Sequence, residues 1–481
     1  MSSSLSIIEA AREAPGEIAC ICDAESITFH QMAIRTAATL RWLHQQYGPL
    51  ASNHSKIPQN CFAVVATNQV ATLILIYALL ELGWPLALLH PRLPVQERTA
   101  LHRRFGFIRI FEPGWDRAAS PTHSDIDVPT PMRGESSSAC FVVFTAGTTG
   151  SSKAAVLSYG AIQCAVEASA QNLGWQPQDR WLLCLPLAHV GGLSIVLRCL
   201  AARKAVLIPQ PQGADDSLDI QQIAQGITRH NATLISVVPT VLQRLLELPD
   251  FSPPASLRAI LMGGDGASAA LLQQALQRGL PVFTTYGMTE MSSQVTTQRY
   301  ALGPGGDSGN GPAIRTAQVR IATDGRIEVR GPSLFSGYWE PPALDLPLTA
   351  DGWFRTEDYG SLDDKGSLHV LGRSTDVLIS GGENVYPAQI ERTILTYPGV
   401  ERCCAFGLPD PNWGEVVCAL VVAPGAERTA FAAFLQQRLM RHQLPRRLAF
   451  IERLPETPVG KLDRKAAALE YRAQLLPLEY P

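Results

Sequence analysis

Five short stretches of the chain combine glycine, hydroxyl and charged residues in patterns that suit nucleotide chemistry. They read FTAGTTGSSK at 144–153, TTYGMTE at 284–290, DGWFRTEDYG at 351–360, GRSTDVLISGGENVYP at 372–387 and PVGKLDRK at 458–465. In the first, small residues let backbone N–H groups and the hydroxyls of Thr145, Thr148 and Thr149 turn toward an anion, while Lys153 adds a point charge. The loop lacks the Gly-Lys-Ser/Thr ending of a Walker loop, so any phosphate chemistry here is of another kind. Taken alone, it reads more readily as a polar turn.

In this order the five stretches resemble the adenylate-forming superfamily of acyl-CoA synthetases, luciferases and peptide-synthetase adenylation domains, across nearly the whole chain. The resemblance implies that a carboxylate attacks the α-phosphate of ATP, so two anions must be brought together among converging cations and N–H donors. It implies that Thr145, Gly147, Thr148, Thr149 and Lys153 handle the β- and γ-phosphates. Gly264, Tyr286, Gly287 and Thr289 would line the nucleotide, with Tyr286 against adenine. Glu290 would help hold Mg²⁺, a hard cation suited to carboxylate oxygen. Asp358 would accept hydrogen bonds from the ribose hydroxyls, and Arg373 would reach ribose or phosphate. Lys461 matches the adenylation lysine, which bridges the substrate carboxylate and the α-phosphate. His189, in PLAHVGGL, matches a position that gates or flanks the carboxylate pocket, to which Gly263 also belongs. Gly381 and Gly382 fit the hairpin lining the pantetheine tunnel of CoA, where a ligand approaches backbone closely. Singly these residues have plainer readings: Asp358 a turn acid, His189 a core histidine, Lys461 a solvated lysine.

No carrier segment follows the last motif, so a stand-alone ligase is expected. GLPDPNWGEVVCALVV at 407–422 resembles the C-terminal domain of acyl- and aryl-CoA synthetases, which makes CoA the expected acceptor. The stretches PLAHVGGLS, SVVPTVLQRLLE, YGMTEMSSQ and ISGGENVYPAQIE are most similar to the o-succinylbenzoate–CoA ligase family of menaquinone and phylloquinone biosynthesis. That substrate has two carboxylates, of which one is activated and the other needs a cation. Arg244, on an expected helix after Pro239, matches the arginine of that family; a snorkelling helix residue is its other reading. Ser293 and Gln294 are weaker pocket candidates. A ligase for a benzoate or cinnamate, or a silent nucleotide-binding protein on the same fold, remains an alternative. Departures from the superfamily pattern are Ala146 for Ser, Ser152 for Pro, Ala154 for Gly, Glu357 for Gly, and Thr375 at a hinge position often filled by Asp or Lys. The first three shift the expected phosphate contacts onto the threonines.

The elements that must position these residues follow from patterning. Up to about residue 370, strand-like apolar runs alternate with helical patterns, which predicts an α/β fold with mostly parallel sheets in a large, multi-subdomain N-terminal adenylation domain. VATLILIYALLELGWPLALL at 70–89 is long enough to span a bilayer, but Glu81, Gly83 and Pro85 interrupt it. A buried helix ending at Gly83 and then a strand are expected. AQVRIA and RIEVRG flank the turn TDG as a hairpin. The texture changes near GRSTD, so domains of 1–372 and 377–481 are predicted around a hinge at 373–376, the second a small, mobile α+β unit.

Composition excludes some classes. With 481 residues, 46% hydrophobic, 17% charged and a net charge of −3, the chain can bury sizeable cores and shows no basic stripe for nucleic acid. MSSSLSIIEAAREAPG lacks a basic region followed by a continuous apolar segment, so no signal peptide and a cytoplasmic location are expected. The ten scattered cysteines fit no zinc pattern and read as reduced and buried. Of 40 basic residues only six are lysine, and two of these, Lys153 and Lys461, fall inside the nucleotide motifs, where a compact ammonium is useful. The partners expected are a small carboxylic acid, ATP and CoA, with a homo-oligomer possible.

Overall fold

The computed structural model describes residues 4–22, 25–48, 50, 53–115, 135–145, 152–209, 218–264, 266, 267, 269–300, 309–455 and 462–480. The apolar run at 70–89 divides at its glycine. Val70–Leu82 is a helix, Gly83 closes it in the left-handed conformation (φ +64°), and Leu86–Leu89 is a fully buried strand. Glu81 is buried in that helix and accepts hydrogen bonds from Ser6 Oγ (2.7 Å) and the Ile8 N–H (3.2 Å), so its carboxylate ties the N-terminal segment to the core. Among the described residues, no helix is long and apolar enough to cross a membrane.

Two large sheets form the body of the N-terminal region. One has the strand order Ser293–Arg299, Val282–Met288, Ala259–Met262, Leu234–Val237, Arg180–Leu182, Ala205–Ile208, Ile18–Cys22, Glu25–Thr28. Its interior strands run parallel and only the two edge pairs are antiparallel. The other has the order Ala343–Asp345, Gly337–Glu340, Lys153–Ser158, Ala139–Thr145, Leu86–Leu89, Phe62–Val65, Ile110–Phe111. Val190–Ala202 crosses over between the parallel strands Arg180–Leu182 and Ala205–Ile208, and Val70–Leu82 between Phe62–Val65 and Leu86–Leu89, as parallel pairing requires. The largest hydrophobic core holds Phe62, Trp84, Phe111, Phe141 and Trp181 and draws on both sheets.

From Ser293 on, the N-terminal region is antiparallel, which the expectation of mostly parallel sheets did not resolve. Gln318–Ile321, Arg326–Arg330, Phe354–Leu362 and Leu368–Arg373 make an antiparallel sheet. The turns at 322–325 and 363–367 are too short for a crossover, so hairpins join the outer pairs, whereas Arg326–Arg330 and Phe354–Leu362 pair across residues 331–353, which lend Gly337–Glu340 and Ala343–Asp345 to the other sheet. The expected TDG hairpin is the first of these hairpins.

Residues from Leu378 onward build a further sheet of Glu383–Val385, Leu378–Ser380, Gly414–Val422, Arg447–Phe450 and Leu476–Pro477, with Arg402–Asp410 paired to Gly414–Val422. Gly414–Val422 feeds two separate cores by alternation: Val417, Ala419 and Val421 pack with Ile390 and Phe431 on one face, and Val416, Cys418 and Leu420 with Phe406 and Leu454 on the other. All ten cysteines are free, and seven are buried.

Candidate active site

The nucleotide motifs sit where strands end. Thr145 is the last residue of Ala139–Thr145 and pairs in register with Lys153, the first residue of Lys153–Ser158. The strand–loop–strand arrangement read from FTAGTTGSSK is therefore a hairpin, and its tip, with Ala146, Gly147, Thr148 and Thr149, lies outside the described residues. Gly263 and Gly264 follow the strand Ala259–Met262. A Cβ on Gly263 would stand 2.9 Å from Thr285 Cγ2, so the two segments approach as closely as glycine permits. Tyr286 and Gly287 flank a register shift in the Val282–Met288 strand, and Thr289 and Glu290 occupy a short 3-10 turn directly after it.

Two networks result. In the first, Asp358 lies opposite Arg373 in the antiparallel pair Phe354–Leu362 and Leu368–Arg373. Its carboxylate accepts from the Tyr286 hydroxyl (2.7 Å, Oδ2) and from Arg373 Nε (3.0 Å, Oδ1), while its N–H donates to Thr356 Oγ1 (3.1 Å). Burial and the Asp358 charge push the Tyr286 phenol well above its usual range, so it stays a donor. Asp358 also holds the Arg373 guanidinium above its ordinary value.

In the second network, Glu290 Oε1 accepts from the Tyr338 hydroxyl at 2.6 Å, and the Lys153 ammonium stands 4.8 Å from the centroid of the Tyr338 ring. Tyr286 and Glu290 are four residues apart in one segment, so TTYGMTE spans both networks. One network offers hydrogen-bonding groups for a nucleoside, and the other offers an ammonium and a carboxylate for phosphates and their cation. Among the described residues, no three His, Cys, Asp or Glu side chains cluster to cage a metal. A single carboxylate suits Mg²⁺, which keeps several waters and binds substrate phosphates.

The remaining candidates are more scattered. His189 is exposed at the N-cap of Val190–Ala202, not a core histidine, with its ring 5.4 Å from that of His90. Burial and the nearby Arg92 lower the His90 pKa, which favours a neutral imidazole beside His189. Arg244 is exposed on the helix Pro239–Glu247, whose buried side is Leu242, Leu245 and Leu246. Gly381 and Gly382 form the turn between Leu378–Ser380 and Glu383–Val385 with φ of +62° and +83°, and a Cβ on Gly381 would meet the Trp413 ring at 3.1 Å. Lys461 lies outside the described residues, whereas Leu462 and Asp463 beyond it belong to the C-terminal region, where Asp463 caps Arg464–Glu470.

Sequence reasoning missed two residues. Arg198 is 3% exposed, donates to Ser293 Oγ at 3.2 Å and lies 5.5 Å from the Trp181 ring centroid, while its Nε has no hydrogen-bond partner among the described residues. It borders a small apolar cavity with Leu157, Ile162, Val190, Leu193 and Ser292, and burial pushes its pKa down to about 10. A visible signal existed: one arginine in the otherwise apolar helix VGGLSIVLRCLAA. Tyr338 had none, because its contacts come from strand pairing across a long separation in sequence.

Known proteins resemble this chain in sequence and fold. The AMP-binding enzyme family model matches residues 7–339, and that of the AMP-binding enzyme C-terminal domain matches residues 389–461. A 2-succinylbenzoate–CoA ligase of Listeria monocytogenes is 34% identical over 414 residues, 84% of this chain and 87% of that protein. The o-succinylbenzoate CoA synthetase of Bacillus subtilis, solved in complex with the acyl-adenylate intermediate OSB-AMP, matches with a TM-score of 0.78 at 28% identity, over 96% of this chain and 97% of that one. The same enzyme in complex with ATP and magnesium ion gives 0.78 at 27% identity, over 95% and 98%. Matched over most of its length and sharing a third of its residues with such a ligase, this chain belongs to the AMP-binding enzyme family.

Proposed function

We infer that the chain is an AMP-forming acid–thiol ligase that converts 2-succinylbenzoate to its CoA thioester through an acyl adenylate, with ATP, Mg²⁺ and CoA as co-substrates. The observation that carries the reading is the pair of networks on one segment, Tyr286–Asp358–Arg373 and Lys153–Tyr338–Glu290, in a chain that matches 2-succinylbenzoate–CoA ligases over most of its length.

In the first step a substrate carboxylate oxygen bonds to the α-phosphorus and the bond to pyrophosphate breaks. Asp358 and Tyr286 hold the nucleoside, and Lys153 with Thr145, Thr148 and Thr149 holds the leaving phosphates. Glu290 holds Mg²⁺, which supplies charge neutralisation there. Lys461 bridges the attacking carboxylate and the α-phosphate. His189 flanks the carboxylate and Gly263 lines its pocket. The second carboxylate of the substrate meets Arg198 beside Ser293, a buried cation with an open N–H, or else the exposed Arg244. In the second step the CoA sulfur bonds to the acyl carbon and AMP leaves, with Gly381 and Gly382 lining the pantetheine path. The C-terminal region turns about residues 373–376 between the steps. The enzyme acts in the cytoplasm, in menaquinone or phylloquinone biosynthesis.

Pyrophosphate release measured over a panel of carboxylic acids, with and without CoA, tests this. 2-Succinylbenzoate is expected to give the highest kcat/KM, with CoA-dependent thioester formation. Higher kcat/KM with a benzoate or cinnamate would reassign the substrate, and silence with every acid would make the chain a nucleotide-binding protein only.

A further inference from the structure

We propose that Tyr338 is a positioning residue for the phosphate and metal end of the site: its hydroxyl fixes the Glu290 carboxylate, and its ring face seats the Lys153 ammonium. The proposal rests on the reading above, in which Glu290 holds the metal and Lys153 the phosphates.

The geometry follows from strand pairing. Gly337–Glu340 runs antiparallel to Lys153–Ser158 with Tyr338 opposite Ala155, which makes Lys153 its diagonal neighbour on the same face of the sheet. The ammonium then stands 4.8 Å from the ring centroid, within cation–π range. Gly337 turns the chain into this register at φ +134°, where a Cβ would come within 2.8 Å of the Asp345 carbonyl oxygen. The same segment grips Glu290 twice. The Phe335 N–H donates to the Glu290 carbonyl at 2.8 Å, and the Tyr338 hydroxyl donates to its Oε1 at 2.6 Å. Phe335 packs edge-on against Tyr338 with centroids 4.8 Å apart, and the Ser336 N–H donates to the Val156 carbonyl at 2.8 Å, which joins the grip to the strand of Lys153.

A phenol used only for packing would need none of these polar contacts. Tyr338 instead stands between an ammonium and a carboxylate, touches both, and among the described residues no ion pair joins those two. Direct pairing would neutralise them. Held apart, Lys153 faces anionic oxygen and Glu290 keeps Oε2 for a cation, an arrangement in which the neighbour of a metal ligand sets that ligand's direction.

Two variants and a control test the proposal by electron paramagnetic resonance of Mn²⁺ bound to the enzyme–ATP complex, a reading independent of turnover. Tyr338→Phe keeps the ring and is expected to weaken Mn²⁺ binding roughly 10-fold or more, with metal-free ATP affinity changed less than about 3-fold. Tyr338→Leu also removes the seat of Lys153 and is expected to weaken metal-free ATP binding as well. Wild-type Mn²⁺ affinity in Tyr338→Phe would overturn the proposal, and because that variant preserves the packing, the test stands whether or not Tyr338→Leu folds. Glu290→Gln separates the underlying reading: it is expected to lose Mn²⁺ binding, and wild-type affinity there would remove Glu290 from the metal site and the proposal with it.

Discussion

A guanidinium in the position of Arg198, 3% exposed with its Nε unpartnered among the described residues, is a cost to the free protein. A pKa pushed from 12.5 to about 10 corresponds to on the order of 3 kcal/mol of penalty on the charged form. At neutral pH the group is charged both folded and unfolded, so the penalty is fully present and is relieved only as pH rises from about 10 toward 12.5. A substrate carboxylate that reached this guanidinium would offset it with a charge-assisted hydrogen bond. Replacing Arg198 by Met keeps the volume and removes the buried charge. Arg198→Met is therefore expected to melt at the wild-type temperature or a few degrees higher, while KM for 2-succinylbenzoate rises roughly 10- to 100-fold. Thermal melts and steady-state kinetics on this acid and on benzoate check it. An equal rise for both acids, or the larger effect from Arg244→Ala, would move the second-carboxylate role away from Arg198.

At the scale of elements, local patterns were legible and long-range pairings were not. The helix at Val70–Leu82 and the hairpins around TDG and FTAGTTGSSK follow from periodicity and turn residues, which act over a few positions. The strand carrying Tyr338 pairs with that of Lys153 across nearly 200 residues of sequence, and Arg198 meets Ser293 across about 100. No spacing rule reaches that far; the motifs named Glu290 and Lys153, but what stands between them comes from sheet register. Such register depends on positions where a side chain cannot fit. Gly287 is one: a Cβ there would lie 2.1 Å from the Ser293 carbonyl oxygen, in the irregular pairing that carries Tyr286, Glu290 and Ser293 at once. Gly287→Ala must spread the two strands, at about 1–3 kcal/mol or more. It is expected to lower the melting temperature by several degrees and to weaken ATP and carboxylate binding together, as calorimetry and ligand titration would show. Loss of one affinity with the other intact would mean that the segment does not act as a unit.

For the whole molecule, the question is how one site serves two reactions. The strand Leu368–Arg373 ends at the residue that binds Asp358, and the chain then passes into the C-terminal sheet. Contacts across the passage include a hydrogen bond from Arg392 Nη1 to the Val370 carbonyl (3.0 Å) and the ring pair Tyr359–Tyr386. The segment around Lys461 is carried by the C-terminal region. Leu462 packs on its sheet, and Arg464 joins Asp376 (3.3 Å), the last residue of the turn, and Glu391 (2.7 Å) in the helix Pro387–Ile394. The hairpin at Gly381 and Gly382 is carried by the same sheet. In the proposed reading, a C-terminal unit bearing both would present them in alternation, and the two half-reactions should then separate genetically. Lys461→Ala is expected to reduce adenylate formation at least about 100-fold, the loss typical of an electrostatic group at a transition state, yet to leave thioester formation from supplied acyl adenylate within about 3-fold. Pyrophosphate release measures the first, and CoA-dependent AMP release from the adenylate the second. Equal losses in both would mean that Lys461 serves the site in each orientation, and the alternation would have to be carried by other residues.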